Sequence, residues 1–201
     1  KLPSKEEIQT LLQITNPEDI ILDESKQEVY LSKVGMRIDL GALAKGYIAD
    51  KLKEFLVEQD VQSGIIDLGG NILTIGENPT FQRPWRIGIQ NPVLDRGEHV
   101  AVIAVSDVSV VTSGVYERQL VVDGKTYHHI FDRKTGYPME TEVASITIVA
   151  EKSVDCEIWT TRLFGQNPYD IIEEIEQQPG LEAFVITKNQ KMMYTSGIQF
   201  V

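Results

Sequence analysis

The residues best suited to acid–base chemistry lie between positions 112 and 138, in the stretch TSGVYERQLVVDGKTYHHIFDRKTGYP. Two of the three histidines of the chain, His128 and His129, are adjacent there. A neutral imidazole is the best available general base near physiological pH. Asp123-Gly124 separates two alternating runs and predicts a two-residue hairpin turn, because both residues tolerate positive φ. Since side chains alternate along a strand, we expect only one histidine of the pair to face any given site.

Hydroxyl and aromatic groups come just before this hairpin, in the segment TSGVYER. Thr112 and Ser113 offer hydroxyls, and Tyr116 offers a flat face for a heteroaromatic ring. Arg118 could neutralise a phosphate. A strand end followed by an ordinary turn would explain the same residues without a ligand.

Two glycine-bearing segments could approach a nucleotide. DLGALAKGYIAD, residues 39–50, places Asp39 at the end of a predicted strand and Lys45 in the first turn of a predicted helix. Free backbone N–H groups and the ammonium suit an anion, while the carbonyls of residues 41–44 could face a cation. IDLGGNI, residues 66–72, interrupts an apolar strand with two glycines, which is costly unless the backbone must approach something closely. A tight turn with a solvated lysine, and a plain bulge or turn, are the alternatives.

An oxygen-donor pair on a third predicted element could hold a divalent cation. In VDCEIWTTRLFG, Glu157 and Thr161 are four residues apart and share one helical face. Carboxylates, waters and substrate phosphates are the ligands that Mg²⁺ prefers. A solvated glutamate beside a threonine would give no site. Asp155, about 200° around the helix from Glu157, is the rival carboxylate.

The elements that must position these groups are mostly strands. Apolar spacing predicts a short helix after Ser4, a helix over residues 42–58, one over residues 153–164 and one that begins at Asn167-Pro168. Strand-like runs fill the rest, in the order EVYLS, MRIDL, GIIDLG, NILTIG, WRIGIQ, HVAVIAVSDVSVV, the hairpin, VASITIVA, EAFVITK and QKMMYTS. Runs of strands interrupted by isolated helices predict an α+β fold, with mixed, mostly antiparallel sheets, a few flanking helices and room for two lobes.

Composition excludes several classes of partner. The chain has 201 residues and is 42% apolar, which is ordinary for a globular protein. With 30 acidic against 19 basic side chains, a net charge of -11, we expect it to repel nucleic acid and anionic lipid. No run of about 18 apolar residues is present, so we expect no transmembrane segment in this chain. A single cysteine, Cys156, excludes an internal disulfide and a cysteine-based zinc site.

Four segments, in this order along the chain, resemble the successive signatures of one enzyme family. DLGALAKGYIAD, IDLGGN, TSGVYER and YHHIFDRKTGYP are similar to those of the FAD:protein FMN transferases, flavin transferases once taken for thiamine-biosynthesis lipoproteins. The resemblance covers nearly the whole chain. It implies a single catalytic domain over residues 1–201 that lacks the N-terminal portion of the family. It also implies an enzyme that uses Mg²⁺ to transfer FMN from FAD to a Thr or Ser hydroxyl of an acceptor protein, with release of AMP.

The resemblance also implies roles for individual residues. The side chains or backbone expected to contact FAD are those of Asp39, Lys45, Gly69, Gly70, Asn71, Thr112, Ser113, Tyr116 and Ile130. Mg²⁺ is expected to bind the Ala42 carbonyl, Glu157 and Thr161, with Glu157 standing where the family usually has Asp. His129 matches the histidine of the family's Tyr-x-His-Ile pattern and is the candidate to accept or relay the acceptor's proton, whereas His128 falls on a variable position.

Partners, location and two alternative functions complete the expectations. The resemblance implies FAD and an acceptor protein as partners, and work outside the cytoplasmic membrane with a lipid anchor outside these residues. One alternative is a pyrophosphatase that hydrolyses FAD to FMN and AMP, with water in place of the protein hydroxyl. The other is a non-enzymatic FAD-binding module, which the longer Glu157 side chain would favour.

Overall fold

The structure, a computed structural model, describes residues 2–116 and 119–201. Its internal contacts divide the chain into two compact units. Within the described residues, unit 1 comprises 2–39 and 119–139, and unit 2 comprises 40–116 and 140–201. Helices accompany sheets whose strand pairs are antiparallel, so the predicted α+β class is confirmed.

The helices and strands are numbered here in chain order. The described α-helices are α1 (Lys5–Leu12), α2 (Ala44–Glu58), α3 (Ser153–Leu163) and α4 (Pro168–Glu176). The described strands are β1 (Ile20–Asp23), β2 (Glu28–Leu31), β3 (Gly64–Asp67), β4 (Asn71–Ile75), β5 (Trp85–Gln90), β6 (His99–Val105), β7 (Ser109–Gly114), β8 (Gln119–Val122), β9 (Lys125–His128), β10 (Val143–Ala150), β11 (Leu181–Thr187) and β12 (Met192–Tyr194).

Unit 2 is built on a six-stranded sheet in the order β12-β11-β10-β7-β4-β3. Every residue of the central strand β10 is buried, because both faces of the sheet are covered. Val110 on β7 packs with Ile87 and Ile103 of the β5–β6 hairpin and with Phe184 of β11. Its neighbour Val111 points to the opposite face, since side chains alternate along a strand. On the helical side, α3 packs on β7 and β10, and α2 packs on α3, β3 and β4.

Unit 1 contains α1 and two hairpins, β1–β2 and β8–β9. The predicted capping box is present, since Ser4 and Glu7 each accept a backbone N–H of the other. Asp123 and Gly124 join β8 to β9 with φ values of 51° and 74°, so the predicted two-residue turn is confirmed.

One predicted strand is wrong. Residues 36–40, where apolar and polar residues alternate, lie outside any helix or strand of the structure. Alternation indicates the side-chain period of a strand, but a strand also needs a neighbour to pair with. Ile38 and Leu40 of this segment are 45% and 63% exposed, so no burial favours the extended form. The sequence patterns also missed β1, which pairs with β2.

Other predicted elements differ in their bounds. The helix expected from Ala42 begins at Ala44. The run over residues 99–111 forms two strands, because the chain turns at Asp107, which has a φ of 58°. Strand β9 ends at His128, so the expectation that His129 continues the same strand is wrong.

Among the described residues, no helix is both long enough and apolar enough to cross a membrane.

Cys156 on α3 gives a prediction about reactivity. Its side chain is fully buried, and burial raises the pKa of the thiol well above its ordinary value of 9.0. Because the thiolate is the reactive form, we expect a thiol reagent to label the native chain on the order of 100-fold more slowly than the unfolded chain. Equal labelling rates with and without denaturant, measured by mass spectrometry, would contradict this burial. The raised pKa also means that stability is fully present below about pH 9 and falls as the unfolded-state thiol ionises at higher pH.

Candidate functional site

Unit 2 brings three of the predicted motif segments together. Strand β4 begins at Asn71, directly after the Gly69-Gly70 turn, and Asn71 pairs with Val111 on β7. Thr112 is the next residue of β7, so the second and third motifs occupy adjacent strands. Helix α2 carries residues 44–50 of the first motif and packs on β3, β4 and α3. The strand order of the sheet and the packing of α2 on it therefore bring together segments that are far apart in the sequence.

Glu157 is the centre of this arrangement. The residue is only 4% exposed, and its Oε1 accepts a hydrogen bond of 2.8 Å from Asn71 Nδ2. Lys45 Nζ lies 3.4 Å from the same oxygen, with the lysine side chain 44% exposed. A buried carboxylate requires both a hydrogen-bond donor and a countercharge. Asn71 supplies the first and Lys45 the second.

The Asn71 side chain has both of its ends occupied. Asn71 is fully buried, and its Oδ1 accepts a hydrogen bond of 2.8 Å from Ser153 Oγ, which is also fully buried. Together with the bond to Glu157, this makes a chain from the serine hydroxyl through the amide to the carboxylate. We call Lys45, Asn71, Ser153 and Glu157 the Glu157 cluster. The amide oxygen and one amide N–H of Asn71 are therefore engaged within this cluster.

Two residues of α2 hold the start of α3 in place. Asp50 accepts the Ser153 N–H at 2.7 Å and the Val154 N–H at 3.0 Å, one with each carboxylate oxygen. These are first-turn donors of α3 that have no partner within their own helix. Gly46 allows the close approach, since a Cβ at that position would lie 2.6 Å from the Ser153 carbonyl oxygen. Lys45, the residue before Gly46, is thereby kept beside Glu157.

The residues expected to bind a metal offer oxygen atoms only. The first hydrogen bond of α2 runs from the Tyr47 N–H to the Leu43 carbonyl at 3.1 Å, so the Ala42 carbonyl lies ahead of the helical ladder. Thr161 is exposed and lies one helical turn beyond Glu157. One carboxylate, a carbonyl and a hydroxyl fit Mg²⁺, which takes its remaining ligands from water and substrate. Within residues 2–116 and 119–201, His, Cys, Asp and Glu side chains form no group of three or more that could hold a metal ion.

The glycine pair forms a turn with an unexpected cation beside it. Gly69 and Gly70 have φ values of 66° and 92°, which L side chains rarely adopt. The Gly70 N–H donates to Asp67 Oδ1 at 2.8 Å. A Cβ at Gly70 would lie 3.7 Å from Arg96 Nη2, whereas one at Gly69 would meet nothing within 4 Å. The backbone at Gly69 is therefore open to a ligand, and a guanidinium lies near the turn.

The third motif occupies the end of β7. Thr112 Oγ1 is 2.7 Å from Thr147 Oγ1 on β10, and Ser113 is half-buried. Gly114 makes room for Tyr116, because a Cβ there would lie 2.4 Å from the tyrosine ring. The ring thus lies directly over the strand. Arg118, a candidate phosphate partner, lies outside the described residues.

The remaining candidate residues belong to unit 1. Asp39 is exposed, in the segment without helix or strand. His129 directly follows β9 and is exposed, and Ile130 is half-buried. The Ile130 carbonyl accepts the Met139 N–H at 3.0 Å, which ties the hairpin to the turn that follows it.

His128 has a structural task in the same unit. Its Nδ1 accepts the Ile130 N–H at 3.3 Å, so in the neutral ring Nε2 carries the proton. Nε2 lies 2.9 Å from the Met139 carbonyl and donates to it. Both ring nitrogens of His128 are therefore engaged within unit 1.

Sequence patterns did not single out four residues that shape this site. They are Gly46, Asp50, Arg96 and Ser153. Ser153 and Asp50 are 103 residues apart and Gly46 owes its importance to a helix crossing, so no local pattern connects them. Lys45, Gly46 and Asp50 are close together on one helix, which is the one sequence signal for a shared role. The reason for this spacing is clear only from the structure, where all three contact α3.

Comparisons with known proteins find a family model and named relatives that match most of this chain. The model of the ApbE family matches residues 1–185. A protein of Klebsiella pneumoniae (strain 342) named FAD:protein FMN transferase is 40% identical over 97% of this chain and 60% of its own length. A protein of the same name from Treponema pallidum (strain Nichols) is 37% identical over 85% of this chain and 49% of its own length. The chain thus spans about half to three-fifths of these curated relatives.

Solved structures show the same fold. The ApbE protein of Thermotoga maritima superposes with a TM-score of 0.87 at 31% identity, over 98% of this chain and 63% of that one. The flavinyl transferase ApbE of Pseudomonas stutzeri superposes with a TM-score of 0.79 at 25% identity, over 98% of this chain and 60% of that one.

Proposed function

Since the chain belongs to the ApbE family, we propose that it is the flavin-transferring part of an FAD:protein FMN transferase. It moves FMN from FAD to a Thr or Ser hydroxyl of an acceptor protein, releases AMP and uses Mg²⁺. The names of relatives at 40% and 37% identity support flavin transfer. The metal, the hydroxyl acceptor and the action of residues 1–201 as one catalytic domain rest on the resemblance of the four motifs.

The observation that carries the proposal is the Glu157 cluster. Its carboxylate is nearly buried, yet the contacts from Asn71 and Lys45 both end on Oε1. Among the described residues, no hydrogen bond or ion pair ends on Oε2, which leaves this oxygen for a cation. The donors expected to join it, the Ala42 carbonyl and Thr161, belong to the same unit. An acidic chain that binds a pyrophosphate needs local cations, which Lys45 and a metal ion held by Glu157 would supply.

The proposed reaction exchanges one phosphorus–oxygen bond for another. The bond between the FMN phosphorus and the bridging oxygen of FAD breaks, and its electron pair stays on the departing AMP. A bond forms from that phosphorus to the acceptor hydroxyl oxygen, whose proton passes to a base. Mg²⁺, when bound, supplies neutralisation of charge on the pyrophosphate oxygens. Lys45 binds the same oxygens, and the open backbone at Gly69 lets the flavin nucleotide approach closely.

His129 is the proposed base, which gives a prediction for the histidine pair. We expect His129→Ala to reduce FMN transfer about 100-fold, the lower end of what a positioned general base contributes. His128→Ala is the matched control, because both ring nitrogens of His128 hold structure. It should lower the free energy of unfolding by about 2 kcal/mol, from two lost hydrogen bonds, while it reduces transfer less than 10-fold. Equal losses of turnover in the two variants, measured at equal folded concentration, would remove His129 from this role.

A labelling assay tests the proposed activity and separates the alternatives. The chain is incubated with FAD, Mg²⁺ and an acceptor peptide that contains Thr or Ser, and peptide and small molecules are weighed by mass spectrometry. A peptide heavier by one FMN, with one AMP released per label, supports transfer. FMN and AMP without labelled peptide would indicate a pyrophosphatase. Intact FAD that stays bound in the presence of Mg²⁺ would indicate a binding module.

We also propose that the protein works outside the cytoplasmic membrane, attached by a lipid, as the resemblance implies. Fractionation of cells that express the full-length protein, followed by detection in the membrane fraction and by protease accessibility from outside the membrane, tests this location. Recovery in the cytoplasmic fraction alone would contradict it.

A further inference from the structure

We infer that Ser153 is a positioning residue for the proposed reaction: through the Asn71 amide, it holds the Glu157 carboxylate in the orientation that presents Oε2 to a cation. The inference rests on the proposed function and goes beyond it, because no motif of the family resemblance includes Ser153. Three observations carry it, namely the polarity of the Ser153–Asn71–Glu157 chain, the burial of all three side chains, and the anchoring of Ser153 by α2.

The direction of the hydrogen bonds from Ser153 through Asn71 to Glu157 is fixed by the carboxylate. An ionised carboxylate can only accept hydrogen bonds, so Asn71 must turn its Nδ2 towards Glu157 Oε1, at 2.8 Å. That leaves the amide oxygen pointing the other way, where it needs a donor. Ser153 Oγ is 2.8 Å from it and provides the O–H. Hydrogen bonds in such a chain polarise one another, so the serine strengthens the bond that the amide makes to the carboxylate.

Because Asn71 is buried, its amide depends on Ser153 and Glu157 for its hydrogen bonds. Asn71 and Ser153 are fully buried, so water does not replace a missing partner without rearrangement. Without the Ser153 hydroxyl, the Asn71 oxygen has no donor at this position. The amide is then drawn to another orientation, and Glu157 Oε1 loses its uncharged donor. Lys45, 3.4 Å away and half-exposed, is then the one partner of Oε1 left among the described residues, and it pulls the carboxylate towards solvent.

Ser153 can position Asn71 because α2 fixes Ser153 itself. Its N–H is bound by Asp50 Oδ1 at 2.7 Å, and its carbonyl lies against the position where a Cβ of Gly46 would be. The serine is therefore held where α2 and α3 cross. Its hydroxyl fixes the Asn71 amide, which in turn fixes the Glu157 carboxylate, four residues after Ser153 on α3. A side chain that orients a metal ligand typically changes metal affinity 10- to 100-fold when it is removed.

The test compares two buried serines. Ser153→Ala removes the donor to Asn71, whereas Ser109→Ala removes a buried hydroxyl that donates to the backbone carbonyl of Ile72 at 2.8 Å and not to a side chain of the cluster. Calorimetric titration with Mg²⁺ alone measures metal affinity without turnover, and thermal unfolding measures the structural cost. We expect Ser153→Ala to weaken Mg²⁺ binding 10- to 100-fold, whereas Ser109→Ala loses stability and keeps its Mg²⁺ affinity within about 2-fold. In steady-state assays, Ser153→Ala should raise the Mg²⁺ concentration needed for half-maximal transfer.

A double-mutant cycle shows whether Ser153 acts through Asn71. If it does, Ser153→Ala added to Asn71→Ala weakens Mg²⁺ binding no further than Asn71→Ala alone. Ser153→Cys keeps the volume of the side chain but donates a hydrogen bond only weakly, so its Mg²⁺ affinity should lie between those of the wild type and Ser153→Ala. This variant replaces Ser153→Ala in the test if the alanine variant is poorly folded. Wild-type Mg²⁺ affinity in Ser153→Ala, equal loss in Ser109→Ala, or additive losses in the double variant would each overturn the inference. A wild-type chain that neither binds Mg²⁺ nor transfers FMN would instead overturn the proposed function, and the inference with it.

Discussion

Glu157→Gln is expected to lower FMN transfer at least 100-fold, since it removes the negative charge of the carboxylate proposed to bind the metal while it keeps the size of the side chain. Glu157 is 4% exposed and faces Asn71 and Lys45. A glutamine can still accept from the Asn71 amide, so the fold should be retained. Its neutral amide cannot offset the charge of a cation, however, and Lys45 loses its counterion. Transfer is measured by mass spectrometry over a range of Mg²⁺ concentrations.

Asp155→Asn is the control for this prediction. Asp155 is the nearest other carboxylate on α3, it is half-buried, and helical geometry turns it away from Glu157. We expect its transfer rate to stay within about 3-fold of wild type, as for most substitutions outside a site. If Asp155→Asn abolished transfer while Glu157→Gln retained it, the metal ligand would be Asp155 and the assignment of Glu157 would fail.

Gly46→Ala should lower both the free energy of unfolding and the rate of FMN transfer. The new Cβ would lie 2.6 Å from the Ser153 carbonyl oxygen and 2.7 Å from Val154 Cα, both of them backbone atoms that cannot rotate away. Alanine gains about 1 kcal/mol over glycine in a helix interior, but overpacking against backbone costs about 3 kcal/mol. The net expectation is a destabilisation of about 2 kcal/mol, seen as a midpoint of thermal unfolding lower by about 4 to 8 °C.

The same substitution moves the parts of the Glu157 cluster relative to one another. To accept the methyl group, α2 must shift away from α3, which carries Lys45 away from Glu157. A displacement of about 1 Å in a catalytic arrangement can cost 100-fold in rate, and we expect a decrease of that order in FMN transfer. Lys51→Ala, on the exposed side of α2, is the control and should change stability by less than about 0.5 kcal/mol. Unchanged stability in Gly46→Ala would show that the helices do not cross at this glycine.

Local patterns predicted most elements of the fold because each rests on neighbours in sequence. The Asp123-Gly124 turn, the Ser4 capping box and strand β10 follow from residues a few positions apart. The strand expected over residues 36–40 failed for the complementary reason, since pairing requires a partner strand that alternation does not supply. The family resemblance, confirmed by the match over residues 1–185, also rests on short contiguous motifs.

The sequence by itself determined the chemical groups: a glutamate and a threonine one helical turn apart, a lysine at a helix start, glycines that allow positive φ and a histidine pair at the end of a hairpin. Only the tertiary structure decided that Glu157 is buried, that the Asn71 amide donates to it, and that Ser153 donates to Asn71. These contacts join residues 82 to 86 positions apart. Burial and hydrogen-bond partners at such separations depend on how α2, α3 and β4 pack, and packing is a property of the folded chain.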